Sequence, residues 1–327
     1  MTYIGIDISK ADFTVAYPSK NGYITRKYKN TALGCRQFIK TLNKDEHHCV
    51  MEATGYYSYL LLYLLDLSGI KVSMENPKKI KNFAQAMMSV TKTDEADARL
   101  ISIYGEKMSP AVFKMPQQSI LLLKQKRAVL RQLNKQYNAN NNLMQSLKVL
   151  PMVDNDCIAA LKKINAALQK QISTLEADLA QTTEVEFNKQ LSLLTSIKGL
   201  GVTIASAIII STGGFTHFDN AKQVSRYIGL CPTIQQSGTS INYKGHINRN
   251  GDEYLRSQLY IASWSAIRYN TACKECYTRL KQQGKPSKVA LIAVANKLIR
   301  QAFAVVKSGV PYQDGFVSSK PSTILTK

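Results

Sequence analysis

Residues 3–8 read Tyr3-Ile4-Gly5-Ile6-Asp7-Ile8, an apolar, β-branched run that carries an aspartate near its end. Such a run is a buried strand, and a carboxylate at its end emerges at the sheet edge. Working outward, Phe13–Tyr17 alternates, and Tyr23–Lys29 is a third, more polar strand after the turn Lys20-Asn21-Gly22. Thr31–Leu42 has helical spacing, His48–Met51 is a short strand, Tyr56–Leu67 a helix and Ile70–Met74 another strand. Pro77 opens a further helical stretch, and Asp94–Tyr104 is helical again.

Three strands, then helix, strand, helix, strand and helix, is the element order of a ribonuclease H-like α/β domain, expected over residues 1–116. From Gln117 to Leu194 there is no Gly and the one Pro is Pro151, so two long helices are expected, with Asp154 or Asp156 as N-cap of the second. Ile158, Leu161, Asn165, Leu168, Ile172, Leu175 and Leu179 follow a heptad seam. Ile at a, Leu at d and one Asn at a favour a two-stranded coiled coil. A weaker seam runs through Leu123, Lys126, Leu130, Leu133, Tyr137, Asn140, Met144 and Leu147. Self-association is preferred here to an antiparallel hairpin within one chain, giving a helical arm at 117–190. A mostly helical domain over 191–312 and a flexible tail over 313–327 complete the expected organisation.

The 327 residues suffice for two or three domains, and 45% hydrophobic content excludes a mainly disordered chain. Lys plus Arg is 43 against 22 acids, a formal net charge of +21 that points to a polyanionic partner. Lys222–Lys307 holds 14 Lys and Arg against three acids, so the positive field concentrates there. The N-terminus lacks a signal-peptide layout and no unbroken apolar run of membrane length is seen, so a cytoplasmic location without a membrane is expected. Six scattered cysteines suit free thiols, and Cys273 and Cys276, without a second pair or a nearby histidine, suit a helical pair in a core.

Asp7 ends one strand, and Glu52 ends His48–Met51 and precedes the turn Ala53-Thr54-Gly55. Asp94 and Asp97, three apart on a helix, share a face. Four acids brought together repel unless cations sit among them, and hard oxygen donors suit Mg²⁺ or Mn²⁺. The bland alternatives are turn-forming roles for Asp7 and Glu52, an N-cap role for Asp94, and an ion pair from Asp97 to Arg99 or Lys92. Asp12 and Glu95 read as solvated bystanders.

Leu193–Ala207 has an apolar helix end, then Gly199-Leu200-Gly201, then a small-residue helix start, as in a helix-hairpin-helix. Backbone N–H groups there, with Lys198, Gly199 and Gly201, would hold a DNA phosphate without reading bases. An ordinary αα-turn is the alternative. Downstream, Cys231–Ser240 is a polar, turn-rich loop with Ser237 before a glycine, followed by Lys244, His246 and Arg249 and by a helix over Tyr254–Tyr269. Ser237 reads as a turn residue or a nucleophile; Lys244, Arg249 and Arg256 would stabilise charge at phosphorus.

As a set these words resemble the DEDD insertion-sequence transposases, a family that includes the Piv-type DNA invertases and the bridge-RNA-guided recombinases. The matching words are Tyr3–Asp7, Glu52–Tyr56, Asn76-Pro77, Lys92–Asp94 with Asp97–Arg99, Ile197–Gly201, Gln236–Gly238, and Leu255-Arg256 with Leu259-Tyr260. Pro232–Gln235 departs from relatives that carry basic residues before the Ser-Gly. The resemblance implies a RuvC-like domain whose Asp7, Glu52, Asp94 and Asp97 bind metal and take part in catalysis. It implies a coiled-coil arm and a C-terminal transposase domain whose Ser237 attacks DNA, with acids and serine contributed by different subunits. It further implies a homodimer or homotetramer and a structured noncoding guide RNA that pairs with the DNA. Three rivals are a RuvC-like nuclease using water, an actin-like ATPase lacking its second phosphate loop here, and a nucleic-acid-binding scaffold.

Overall fold

The computed structural model describes residues 1–88, 91–232, 235–237, 241–243, 247 and 251–315, with backbone only at 235–237 and 241–243. The chain divides into two compact units, Met1–Met115 and Pro116–Lys327.

The first unit is a mixed α/β domain. Strands β1 (Thr2–Ile8), β2 (Asp12–Ser19), β3 (Gly22–Lys29), β4 (His47–Glu52) and β5 (Lys71–Glu75) form one sheet in the order β3-β2-β1-β4-β5. The first three pair antiparallel, while β4 lies parallel to both β1 and β5. This order is consistent with the ribonuclease H-like arrangement expected. Helices α1 (Ala32–Ile39), α2 (Tyr59–Leu67), α3 (Pro77–Ala86) and α4 (Asp94–Met108) complete the unit. Period-2 alternation gives the sheet two buried faces. Ile4, Ile6, Ile8 and Met51 pack with Phe38 of α1 and Leu61, Leu62 and Leu65 of α2. Val50 packs on the opposite face with Ile80 of α3 and Leu100, Ile101 and Tyr104 of α4.

Gly5 explains how closely α4 sits. A Cβ at Gly5 would overlap the Ala98 carbonyl oxygen and the Ser102 amide nitrogen. The Ser102 hydroxyl donates to the Tyr3 carbonyl at 2.7 Å, so α4 lies directly over β1. Asp7, two residues beyond Gly5, therefore faces the N-terminal end of the same helix.

In the second unit, α5 (Gln118–Leu147) and α6 (Asn155–Thr195) lie side by side, α6 capped by Asp154 and kinked at Phe187. Lys126 Nζ meets Asp178 Oδ2 at 2.9 Å, and at the other end Asn140 Nδ2 donates to Asn165 Oδ1 at 2.9 Å. The two helices thus run antiparallel within one chain. Asn165 also donates to Asn141 Oδ1 at 2.8 Å, and Ile158, Asn165 and Ile172, the a positions of the seam, are buried. The expectation that this seam serves a partner chain is corrected at those positions. The preceding helix, tethered by a short loop, reaches them first, and its Asn140 and Asn141 satisfy Asn165.

The rest of the unit is helical: α7 (Val202–Thr212), α8 (Ala221–Ile228), α9 (Glu253–Tyr269), α10 (Thr271–Gln282) and α11 (Ser287–Ser308), with a two-stranded ribbon of β6 (Gln235–Ser237) and β7 (Ile241–Tyr243). Helix α11 has the length and mean hydropathy, 1.7, to cross a membrane by composition alone, although Asn296 and Lys297 break its apolar run. Its Val294, Ala295, Leu298, Ile299, Ala302 and Val305 are buried in the unit's core. Cys273, on α10, is in that core and Cys276 is half-buried, both as free thiols.

Candidate active site

The strand ends place the acids. Ile6 lies opposite Met51 in the parallel β1–β4 pair, so Asp7 and Glu52 are the next residues along neighbouring strands. Both follow residues of the α2 face and therefore share the α4 face. Asp94 and Asp97 lie in the first turn of α4, whose N-cap is Thr93: its hydroxyl accepts from the Ala96 amide at 3.2 Å. Asp94 is thus not the cap, and acidic side chains in this first turn complement the helix dipole.

Electrostatics ties the four together. Burial pushes the Asp7 carboxyl up to about 6, with further increments from Asp97, Asp94 and Glu52. Burial, then Asp97, raises Glu52. Burial raises Asp97, Lys92 opposes it and Asp94 adds to it. Among the described residues Asp97 makes no ion pair with Arg99 or Lys92. Asp94 instead meets Lys27 Nζ of β3 at 3.3 Å, and the same nitrogen lies 3.3 Å from Asp12 Oδ1. Asp12, read as a bystander, therefore shares a lysine with the acid set.

Two further groups were missed. Glu75, the last residue of β5, is the register partner of Glu52, only 8% exposed, and pairs with Lys79 at 2.7 Å. It obeys the same strand-end logic as Glu52, and that signal was available in Met74-Glu75-Asn76-Pro77. The Thr54 hydroxyl oxygen is buried without a hydrogen-bond partner, two residues beyond Glu52. Among the described residues no three His, Cys, Asp or Glu side chains close into a tight cation cluster. Like charges that raise one another's proton affinity do not gather without a counter-charge. The donors still fit a hard divalent cation: they are all oxygen, mutually repelling, and flanked by an orphan hydroxyl.

The C-terminal features separate. Gly199 has φ +105° and sits so close to α9 that a Cβ would lie 2.8 Å from the Ala266 Cα. Gly201, the N-cap of α7, has φ −81° and nothing within 4 Å of its Cβ position, leaving the exposed start of α7 open. Lys198 pairs with Asp314 at 3.2 Å, and Arg256 Nη1 donates to the Ile228 carbonyl at 2.9 Å. Ser237 ends β6 opposite Ile241, so a short strand replaces the loop expected there. Lys244, His246 and Arg249 lie outside the described residues.

Two family profiles cover most of the chain. A DEDD-type IS110 profile described as "Transposase" matches residues 4–180, and "Transposase IS116/IS110/IS902 family" matches 191–278. The chain belongs to the IS110 transposase family. The "Pilin gene-inverting protein" of Moraxella bovis is 30% identical over 324 residues, 95% of this chain and 97% of that protein. The protein of the same name from Moraxella lacunata is also 30% identical over 324 residues. "Transposase for insertion sequence element IS1111A" of Coxiella burnetii is 22% identical over 345 residues, covering 95% and 91%. As an IS110 transposase this chain is a DNA transposase or recombinase of insertion sequences, and its DEDD domain points to divalent-metal dependence.

Proposed function

We propose that this transposase cuts and rejoins DNA with Ser237 as nucleophile, assisted by Mg²⁺ (or Mn²⁺) held by Asp7, Glu52, Asp94 and Asp97 of a RuvC-like domain. The observation that carries the metal half is the mutual electrostatic coupling of the acids, with Asp7 raised by burial and by the other three. A divalent cation bound there would screen the four charges and polarise a phosphodiester oxygen.

In the serine half, Ser237 Oγ forms a bond to phosphorus while the bond to the 3′ oxygen breaks. The serine loses a proton and the departing 3′ oxygen gains one. The product is a phosphoserine ester on the 5′ end beside a free 3′ hydroxyl. Reversal by another 3′ hydroxyl rejoins DNA without ATP, because the ester keeps the bond energy.

The open start of α7 after Gly201 supports a helix-hairpin-helix contact to a DNA phosphate. Lys198 would have to exchange Asp314 for DNA, and Arg256 acts here through the end of α8. Family resemblance and the +21 charge support a noncoding guide RNA as second partner. Resemblance also supports a homodimer or homotetramer; the a positions of the arm no longer do.

Wild type, Asp7→Ala and Ser237→Ala are compared on DNA carrying the element's ends, with the co-expressed flanking RNA and Mg²⁺. A covalent protein–DNA adduct on a denaturing gel in wild type alone supports the proposal. Cutting by Ser237→Ala, but not by Asp7→Ala, would instead identify a nuclease using water.

A further inference from the structure

We infer that a basic cleft between α10 and α11 binds the phosphodiester backbone of a nucleic acid. The cleft has a volume of about 480 Å³ and is lined by Lys274, Thr278, Arg279 and Gln282 of α10 and Lys297 of α11, with Glu275 its one acid. Lys274 and Arg279 are exposed and Lys297 is half-buried. Among the described residues none of these three cations is in an ion pair. Elsewhere the protein does neutralise cations, as Lys27, Lys126, Arg127 and Lys198 show.

The surrounding helix pair is strongly cationic. Residues 271–308 hold eight Lys and Arg against one acid, Glu275, a third of the whole net charge of +21. Three cations against one carboxylate leave the cleft net positive, which suits an anionic ligand. Arg279 offers a planar fork for phosphate oxygens, the lysines point charges, and Thr278 and Gln282 neutral donors. Among the described residues no aromatic side chain lines the cleft to serve as a stacking platform for bases. Backbone recognition without sequence preference is the chemistry that remains.

This inference rests on the nucleic-acid partners proposed above and not on Ser237. Its test titrates full-length protein against a mixed-sequence 30-base-pair DNA duplex and, separately, an RNA hairpin of similar charge, at several salt concentrations. Each duplex phosphate contact contributes about 0.9 to the slope of log affinity against log salt. The triple variant Lys274→Ala/Arg279→Ala/Lys297→Met is expected to lose roughly 2–3 from that slope and about tenfold or more in affinity. The double variant Lys274→Ala/Arg279→Ala spares the half-buried lysine and reads the same effect, about 1–2 in slope, if the triple variant is unstable. A control, Lys40→Ala/Lys44→Ala/Lys71→Ala, removes equal charge from the first unit.

Loss on the RNA alone assigns the cleft to RNA, loss on the duplex alone to DNA, and loss on both to either backbone. Unchanged slope and affinity on both probes overturn the cleft, as does an equal loss in the control. Wild type that binds neither probe overturns the partner reading itself.

Discussion

Lys27 Nζ lies 3.3 Å from Asp94 Oδ2 and 3.3 Å from Asp12 Oδ1, so one lysine from β3 bridges a proposed metal ligand and an acid outside the set. Hydrogen bonds that it donates to Asp12 and then Asp94 raise its proton affinity. It is an internal cation competing for the charge that a metal would neutralise. Removing it by Lys27→Ala should tighten divalent binding by up to about fivefold, the scale of an exposed ion pair. Mn²⁺ titration followed by electron paramagnetic resonance measures this. Weaker binding would mean that Lys27 instead holds Asp94 in place.

Asp7 yields a pH prediction. Its folded value, about 6, stands above the ordinary 3.8 of an aspartate, because burial and then Asp97, Asp94 and Glu52 disfavour the charged form. A raised carboxyl favours the fold below its unfolded value, and that contribution is lost as pH rises through the folded one. In chelator, Asp7→Asn should therefore melt higher than wild type at pH 7–8 and show no such advantage near pH 4. Added Mg²⁺ should raise the melting temperature of wild type at pH 7–8 and leave Asp7→Asn unmoved. Equal melting of both proteins at pH 7–8 in chelator would remove the repulsion argument.

The two turn glycines should part company. Gly199→Ala meets a positive φ and the α9 backbone at once, and should cost roughly 2 kcal/mol or more. Gly201→Ala has ordinary φ and open space, and should cost under about 1 kcal/mol. Urea unfolding of the two variants decides between this and a turn that needs both glycines.

Arg127 Nη2 donates to Asp252 Oδ2 at 3.2 Å, and Arg127 Nη1 donates to the Ser211 hydroxyl at 2.6 Å, which in turn donates to Asp252 at 2.6 Å. Asp252 also accepts the Leu255 amide at 3.0 Å, capping α9. Burial pushes this carboxyl up, but hydrogen bonds from Ser211 and Leu255 and the Arg127 charge outweigh it and hold it below the usual range. A depressed carboxyl stabilises above its unfolded pKa and loses that contribution as pH falls through the folded value. Arg127→Ala should cost about 2 kcal/mol at pH 7 and progressively less toward pH 3. Denaturant melts across that range test it; a constant difference would place the cost in lost packing alone.

The strand ends were the legible part of the site. Alternation alone put Asp7 and Glu52 at the ends of buried strands, and i, i+3 spacing put Asp94 with Asp97. Glu75 carried the same strand-end signal, but its pairing with Glu52, like the place of Lys27, was not legible, because cross-strand register decides who stands beside whom. Thr93 and Asp94 compete as caps on equal chemical terms, and only backbone geometry chose Thr93. The seam in α6 was read correctly as a seam but with the wrong partner at its a positions. A heptad records that a face is buried and not which helix buries it.

Periodicity, charge and strand-end acids, all carried by consecutive residues, determined the α/β-then-helical order, the acid quartet and the polyanionic partner class. The tertiary structure decided what depends on residues distant in sequence. It set the β3-β2-β1-β4-β5 order, the close approach of α4 at Gly5, the lysine at Asp94 and the pairing of Asn140 and Asn141 with Asn165. The physical reason is one of range. Backbone propensity and burial period act within a few residues, while ion pairs, registers and packed faces are chosen among competing long-range partners.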